Sequence, residues 1–248
     1  MTEDAPAFDA EGLFDEDYLY FFASRLDAGA PAEAELVVRL LELRPGMEVL
    51  DLACGHGRMA MQLAARGMRV TGLDSSPVFL GQARADARAA GADVTFVEGD
   101  MRSLPWTERF DAVLSWFTAY GYFDDAGNRR VLAEVARALR PGGRFVLELN
   151  HRDWVLRNFR PADLAAELGD DLVLDTREIQ PLTGRVTTRR TIIRDGKVRR
   201  VPFTVRMFTY PELRDWLLQA GFTSVDVYGE EGTPFTLESR RMIVVALR

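Results

Sequence analysis

The sequence predicts an α/β protein: a doubly wound, mostly parallel seven-stranded sheet with an antiparallel last strand, plus an inserted antiparallel β-element. Three observations predict it. Short apolar runs alternate with helix-period segments from residue 46 to residue 150, and residues 171–209 change to strand-period segments joined by tight turns. The last two apolar runs are joined by a connection too short for a crossover helix. The chain therefore divides into an N-terminal helical lid and first helix (1–45), a core (46–150 and 211–248), and an inserted helix with a β-element (151–210) that acts as substrate cover or dimer contact.

At 248 residues and 47% hydrophobic content, one large domain with an appended element fits and two full domains are cramped. The formal charge of -7 argues against a general nucleic-acid binder, because phosphate affinity is built from excess Lys and Arg; no DNA partner is expected. A single cysteine, Cys54, excludes an intrachain disulfide, and with only His56 and His151 no Cys/His zinc site can be assembled. The start, MTEDAPAFDAEG, lacks the basic and apolar stretches of a signal peptide, and no run approaches the ~20 apolar residues of a membrane span. A soluble protein in a reducing, cytoplasmic setting, with no membrane partner, is the expectation.

Residues 1–17 carry seven acids and no base, and the first dozen read as a loose lead-in. Asp15 is placed to cap a helix over 16–26, where Phe14, Tyr18, Phe21 and Phe22 recur at three- and four-residue spacing. That aromatic face either packs on the main domain or forms a lid with Tyr18 or Tyr20 tipped into a pocket. DAGAP at 27–31 reads as a break before a second helix over 32–43, which RPG at 44–46 stops. Strands follow at 47–52, 69–73, 93–98, 110–115 and 143–149, with helices near 57–66, 77–90 and 125–140. The 98–110 connection has no long amphipathic pattern and reads as a loop. Right-handed crossovers then leave the sheet covered on both faces.

Residues 171–209 read as three strands, with turns at PLTG (181–184) and at Asp195 and Gly196, a strong two-residue hairpin signal. Nine basic residues face four acids there, leaving +5 locally against -12 for the rest. A solvated strand face fits this charge. So do an acidic-substrate wall and a homodimer contact through residues 171–209 to the acidic N-terminus. A helix over 211–220 turns Leu213, Trp216 and Leu217 inward, and strands at 223–229 and 241–247 close the chain as an antiparallel pair.

The chain is organised around residues 48–61, EVLDLACGHGRMAM. Asp51 ends the first strand, Gly55 and Gly57 follow, and a helix begins at about Gly57. Small residues at the carboxyl end of a first parallel strand admit a ligand to the backbone, and a helix N-terminus favours a negative group; this describes a nucleotide or nucleoside site. Gly55, Gly57 and Ala60 also satisfy the dinucleotide spacing G-x-G-x-x-G/A, with Asp74 a further 14 residues on. Asp51 stands four residues before the first glycine, which suits a ligand with a cationic amino-acid head better than a pyrophosphate.

DLACGHG resembles motif I of the class I S-adenosylmethionine-dependent methyltransferases, usually (D/E)xGxGxG. Ala53 replaces the first glycine and restricts φ where glycine does not. The resemblance continues through GLD at 72–74, EGDM at 98–101, FDAVLS at 110–115, ALRPGG at 138–143 and the final antiparallel pair, covering about 46–150 and 211–248. It implies a Rossmann-like fold with S-adenosylmethionine as cofactor and S-adenosylhomocysteine as product. It also implies roles: Asp51, Ala53, Gly55 and Gly57 around the methionine end, Asp74 at the ribose, and Cys54 and Ser75 as further cofactor-binding residues. Asp100 and Met101 fall at the adenine, and Ser115 near the methionine part. Cys54 fits a small packed residue rather than a nucleophile, and His56 a loop residue near the cofactor.

The sulfonium activates the methyl group, so the resemblance implies direct in-line displacement in which positioning supplies up to about 7–11 kcal/mol. WFTAYGYFDD at 116–125 lies beside the methyl group in such a fold and lacks the (D/N)PP(Y/F) signature of amino methyltransferases acting on DNA bases. Ser115 and Asn150 stand at the ends of strands four and five instead of the acids of a Mg²⁺ site, so no metal is expected. The aromatic stretch, N-terminal helix and β-insert resemble small-molecule methyltransferases of the glycine or sugar N-methyltransferase type. Tyr18, Tyr20, Trp116, Phe117 and Asn150 are the expected pocket residues. His151 is the general-base candidate, against a capping or surface role. Tyr120 and Tyr122 either orient an amine or hydroxyl or wall the pocket. The expected activity is methyl transfer to N or O of a small molecule. The alternatives are an NAD-linked oxidoreductase, a non-catalytic S-adenosylmethionine-binding or regulatory protein, and an RNA or protein acceptor met by the basic insert.

Overall fold

The computed structural model describes residues 9–248. The loose lead-in expected for the first dozen residues falls mostly on residues 1–8, outside the described residues. Its last part is ordered: Asp9 accepts from the Gly12 N–H and caps α1 (Ala10–Leu13), whose Leu13 is buried. Asp15 then caps α2 (Glu16–Leu40), accepting from the Asp17 and Tyr18 N–H groups.

The break expected at 27–31 does not occur, because α2 continues through Gly29 and Pro31 as one 25-residue helix. An interior proline costs about 3 kcal/mol through its missing donor and ring clash. Burial on both sides of it offsets that cost: Phe21, Phe22 and Leu26 before Pro31, and Ala34, Leu36 and Val37 after it. Tertiary packing outweighs the local breaker.

The alternation proceeds as β1 (Glu48–Leu52), α3 (Arg58–Ala64), β2 (Arg69–Asp74), α4 (Pro77–Ala90), β3 (Val94–Glu98), β4 (Phe110–Ser115), α5 (Asp125–Ala138) and β5 (Leu139–Asn150). As expected, no helix joins β3 to β4. The ALRPGG turn is instead a bulge at the start of β5, where the register with β4 shifts between the Phe110 and Ala112 pairs. A bulge tolerates Pro141 because its nitrogen is released from the ladder.

The insert comprises α6 (Arg152–Arg157) and an antiparallel sheet of four strands, β6 (Ala162–Leu168), β7 (Asp171–Gln180), β8 (Arg185–Arg194) and β9 (Lys197–Arg206), in that order. The three strands expected over 171–209 are β7, β8 and β9, and β6 is an additional strand that precedes them. The sequence ADLAAEL has helix-forming composition, but β7 recruits it as an edge strand. Asp195 and Gly196 both take positive φ, 51° and 71°, as the two-residue hairpin requires. After α7 (Tyr210–Gln219) come β10 (Ser224–Tyr228) and β11 (Arg241–Leu247). The seven-stranded order is β10-β11-β5-β4-β1-β2-β3, and β11 is antiparallel to both its neighbours.

One sheet face buries Leu50, Leu52 and Val113 against Val131, Leu132 and Val135 of α5. The other buries Val49, Leu114 and Val146 against Val37 of α2 and Leu63 of α3. A third cluster joins Phe21, Phe22 and Leu26 of α2 to Val173, Ile192 and Val201 of the insert. Charge reinforces that union within the chain: Arg194 meets Asp17 at 3.0 Å, and Arg199 meets Asp15 at 2.6 Å and Asp17 at 2.7 Å. Burial raises the Asp17 carboxyl, but hydrogen bonds from Arg199 and Arg194 outweigh it and hold the group below its usual range. Among the described residues, no helix is long and apolar enough to cross a membrane.

Candidate functional site

The carboxyl ends of β1, β2 and β3 open into a cleft of about 1210 Å³ that α2, the segment after β4 and the inserted sheet also line. Asp51, Ala53, Cys54, Gly55, Asp74, Ser75, Asp100 and Met101 reach it from the core. Tyr18, Trp116, Phe117, Tyr122 and Asn150 reach it from the other elements. Residues far apart in sequence thus share one cavity.

The loop after β1 turns through left-handed backbone at Ala53 (φ 59°), Gly55 (φ 58°) and Gly57 (φ 82°). Ala53 adopts this conformation at a cost of about 1–2 kcal/mol, a strain of the kind concentrated at functional loops. At Gly57 a Cβ would stand 2.9 Å from the Phe96 ring, so both space and φ demand glycine. A Cβ at Gly72 would lie 2.8 Å from Cys54 Sγ, which explains the glycine in GLD. Cys54 is packed in that notch, and burial pushes its thiol up, away from a thiolate.

Three carboxylates end or follow the first three strands. Asp74 Oδ2 accepts from Gly55 N at 2.8 Å and its Oδ1 from Ser76 N at 2.9 Å; burial nevertheless pushes the carboxyl up. Asp100 receives Arg102 through Nε at 3.0 Å and Nη2 at 2.6 Å, which holds its carboxyl low. The Arg102 guanidinium also lies 4.2 Å from the Phe123 ring centroid. Asp51 is 2% exposed, and burial pushes its carboxyl up to about 7 while Arg58 draws it down. Its Oδ2 has no hydrogen-bond partner, nor have the buried Arg58 Nη2 and Ser115 Oγ.

The segment after β4 is held in a specific shape. Phe117 and Thr118 are both left-handed, with φ of 62° and 56°. Glu148 Oε2 accepts from Phe117 N at 2.6 Å, and the Glu148 carbonyl accepts from Thr118 N at 3.0 Å. Arg241 donates to Glu148, to Asn150 Oδ1 and, at 2.8 Å, to Thr118 Oγ1. Phe117 is thereby presented at the cleft, 41% exposed. Trp116 Nε1 donates to Glu33 Oε2 at 3.0 Å.

Several expected residues are not brought to the cleft. His151 is 4% exposed, with Nδ1 2.7 Å from the Ser239 carbonyl and its ring centroid 4.5 Å from that of Phe235. It follows Asn150 directly, and the alternation of an extended chain sends Asn150 to the cleft and His151 away from it. Tyr120 is core: it donates to the Asn128 carbonyl at 3.0 Å and lies against Phe208, and burial pushes its hydroxyl up. Tyr20 is exposed and donates to Asp171 at 2.9 Å, tying α2 to the insert. Neither Ser115 nor Gly57 lines the cleft.

Arg58, Glu33, Arg102, Glu148 and Arg241 escaped the sequence reading. Glu148 carried a signal, as an acid inside the apolar run FVLELN at 145–150. Arg58 immediately follows the last loop glycine. Nothing in the local sequence marks Asp175, which is 1% exposed and holds both Arg190 and Arg177 in the wall formed by the insert.

The methyltransferase domain family matches residues 49–143. The cypemycin N-terminal methyltransferase of a Streptomyces species is 30% identical over 235 residues, covering 87% of this chain and 89% of that protein. The chain spans only 64% and 45% of the length of two other curated relatives it matches. Among solved structures, the CcbJ methyltransferase from Streptomyces caelestis has a TM-score of 0.82 at 24% identity, covering 96% of this chain and 98% of that one, a likeness of fold. CalS10, an amino pentose methyltransferase from Micromonospora echinaspora solved with S-adenosylmethionine bound, has a TM-score of 0.63 at 26% identity over 91% of this chain and 95% of its own.

Proposed function

The chain belongs to the class I S-adenosylmethionine-dependent methyltransferases, and from that premise we propose that it transfers a methyl group to nitrogen or oxygen of a small molecule by in-line displacement, without a metal ion. S-adenosylmethionine is the methyl donor; bound, it supplies a methyl group that its sulfonium already activates. The residues present fit it. Asp51, which lines the cleft, keeps a buried oxygen without a protein partner, and Gly55 and Ala53 leave the loop backbone open to close approach. Asp51 and its loop hold the methionine end, Asp74 the ribose, and Asp100 with Met101 the adenine.

The observation that carries this reading is the continuity of the cleft, in which Tyr18, Trp116, Phe117 and Tyr122 share one cavity with Asp51, Asp74 and Asp100. The aromatic wall excludes water and orients the acceptor, so that alignment supplies most of the rate, on the order of 7–11 kcal/mol. Metal independence is supported by the neutral ends of β4 and β5: Ser115 and Asn150 offer no carboxylate, and Asn150 Oδ1 is engaged by Arg241. Two of the relatives are named for an amino pentose and for the N-terminus of cypemycin, which favours nitrogen over oxygen as the nucleophile.

Titration calorimetry with S-adenosylhomocysteine and with NADH, followed by a screen of amines and alcohols with methyl-labelled cofactor, tests the proposal. We expect binding of the first ligand alone and label transferred to an amine. Binding of NADH alone, or label appearing only on RNA or protein, would sink it.

A further inference from the structure

The inserted sheet turns a fixed guanidinium toward the cleft. Asp175 of β7 stands opposite Arg190 of β8 in the antiparallel register, and Arg190 donates through Nε to Asp175 Oδ1 at 2.9 Å and through Nη2 to Oδ2 at 2.8 Å. A two-bond fork of this kind fixes the plane of the guanidinium as well as its position. The ring centroids of Phe22 and Phe203 lie 5.2 Å and 5.3 Å from it. Burial works against its charge, but the hydrogen bonds to Asp175 outweigh burial and hold the group above its usual range. Nη1 is left over: it has no hydrogen-bond partner among the described residues, it is not sealed from solvent, and Arg190 lines the cleft.

The charge around it is one-sided. Apart from Asp51, Asp74 and Asp100 at the donor end, the acids lining the cleft among the described residues are Asp163 and Asp175. Both are taken up, Asp175 by Arg190 and Arg177, and Asp163 by Arg177 at 2.6 Å. Arg25 and Arg160 line the same cleft with no carboxylate partner among the described residues. The Arg25 guanidinium stands 5.7 Å from the Phe22 centroid, so two guanidiniums meet one ring. Burial pushes the Tyr18 hydroxyl up, and the charges that act on it, those of Arg190, Arg58 and Arg25, are all cationic. A cleft wall of one sign with low-dielectric surroundings concentrates ligands of the other sign.

We propose that Arg190, with Arg25 beside the same ring, binds an anionic oxygen group on the methyl acceptor, a carboxylate or a phosphate, and so sets which end of the acceptor faces the methyl donor. The assignment deepens the proposed function and rests on its small-molecule acceptor. Asp175 is the positioning residue, because its two oxygens hold Nε and Nη2 and leave Nη1 to the ligand. An ion pair that merely knits the insert together accounts for the fork to Asp175. It does not account for the nitrogen left facing the cleft or for the unmatched Arg25 and Arg160.

Turnover of methyl-labelled cofactor with a panel of amines tests it, each amino acid paired with its amide and O-phosphoethanolamine paired with ethanolamine. The wild type favours the acidic member of a pair by at least about tenfold in kcat/KM, as a charge-assisted hydrogen bond supplies, and the pair that shows this tells carboxylate from phosphate. In Arg190→Gln the preference collapses toward unity through KM, and Arg190→Lys restores part of it. Arg25→Ala, a change at an exposed side chain, lowers the preference by about threefold without lowering the melting temperature. Misfolding of Arg190→Gln would instead slow both members of a pair alike and weaken S-adenosylhomocysteine binding, and Arg190→Lys and Arg25→Ala then decide. Equal turnover of acidic and neutral members by wild type, turnover of neither while S-adenosylhomocysteine binds, or a preference that survives these substitutions overturns the assignment. Failure of wild type to bind S-adenosylhomocysteine, or label only on RNA or protein, overturns the proposed function instead.

Discussion

Gly55 donates its backbone N–H to Asp74 Oδ2 at 2.8 Å, so the acid ending β2 holds the loop that follows β1. Asp74 is therefore both a ribose ligand in the proposed site and a brace for the loop. Asp74→Ala removes this bond and the one to Ser76, each worth about 1.5–3 kcal/mol when the acceptor is charged. We expect a lower melting temperature and at least a tenfold loss of S-adenosylhomocysteine affinity, with Asp74→Asn recovering part of the stability. Calorimetry and thermal unfolding read both effects; wild-type affinity in Asp74→Ala would remove it from the site.

Glu148 and Arg241 hold Phe117 and Thr118 in left-handed backbone at the cleft. Glu148→Ala leaves Phe117 N–H without its acceptor and removes the anion opposite Arg241, which keeps only Asn150 Oδ1 and Thr118 Oγ1, at a cost of about 3–5 kcal/mol. The KM for the acceptor rises, whereas S-adenosylhomocysteine affinity holds. Glu148→Gln, which keeps an acceptor for Phe117 N–H, shows a smaller rise. Urea unfolding and steady-state kinetics distinguish this from a general loss of fold, which would weaken both ligands alike.

The carboxyl of Asp51, 3.8 in its ordinary state, is pushed up to about 7 by burial. The unfolded chain ionises this group from 3.8 upward while the folded one keeps its proton until about 7, so its contribution opposes folding increasingly across that window and fully above it. Asp51→Asn should therefore raise the melting temperature of the ligand-free protein above about pH 7, with the gain vanishing toward pH 4. Wild-type affinity for S-adenosylhomocysteine rises through neutrality as the carboxylate forms, and Asp51→Asn loses that rise. A pH-independent difference in melting temperature would contradict this account.

His151 lies against Phe235 and the Ser239 carbonyl rather than at the cleft. His151→Ala is expected to destabilise by about 1–2 kcal/mol through the lost hydrogen bond and packing, and to leave the pH profile of turnover unchanged between pH 6 and 9. General acid–base catalysis contributes about 10²–10⁴-fold. A turnover loss of that size with intact stability would restore His151 as the base.

The sequence by itself determined the strand-helix alternation, the glycine loop with its acids at Asp51, Asp74 and Asp100, and the hairpin at Asp195 and Gly196. These depend on short-range demands: apolar period, positive φ, and close approach of backbone to ligand. Tertiary structure decided the rest. It carried α2 through Pro31 and made a strand of ADLAAEL, because burial and cross-strand pairing exceed local preference by more than one proline or one helical composition costs. It turned His151 and Tyr120 away from the cleft. It joined Glu148 to Arg241, 93 residues apart, and left Arg58 Nη2 buried without a partner. Such contacts form only when distant segments meet, and unmet hydrogen-bonding capacity such as that of Arg58 Nη2 exists only once water has been excluded.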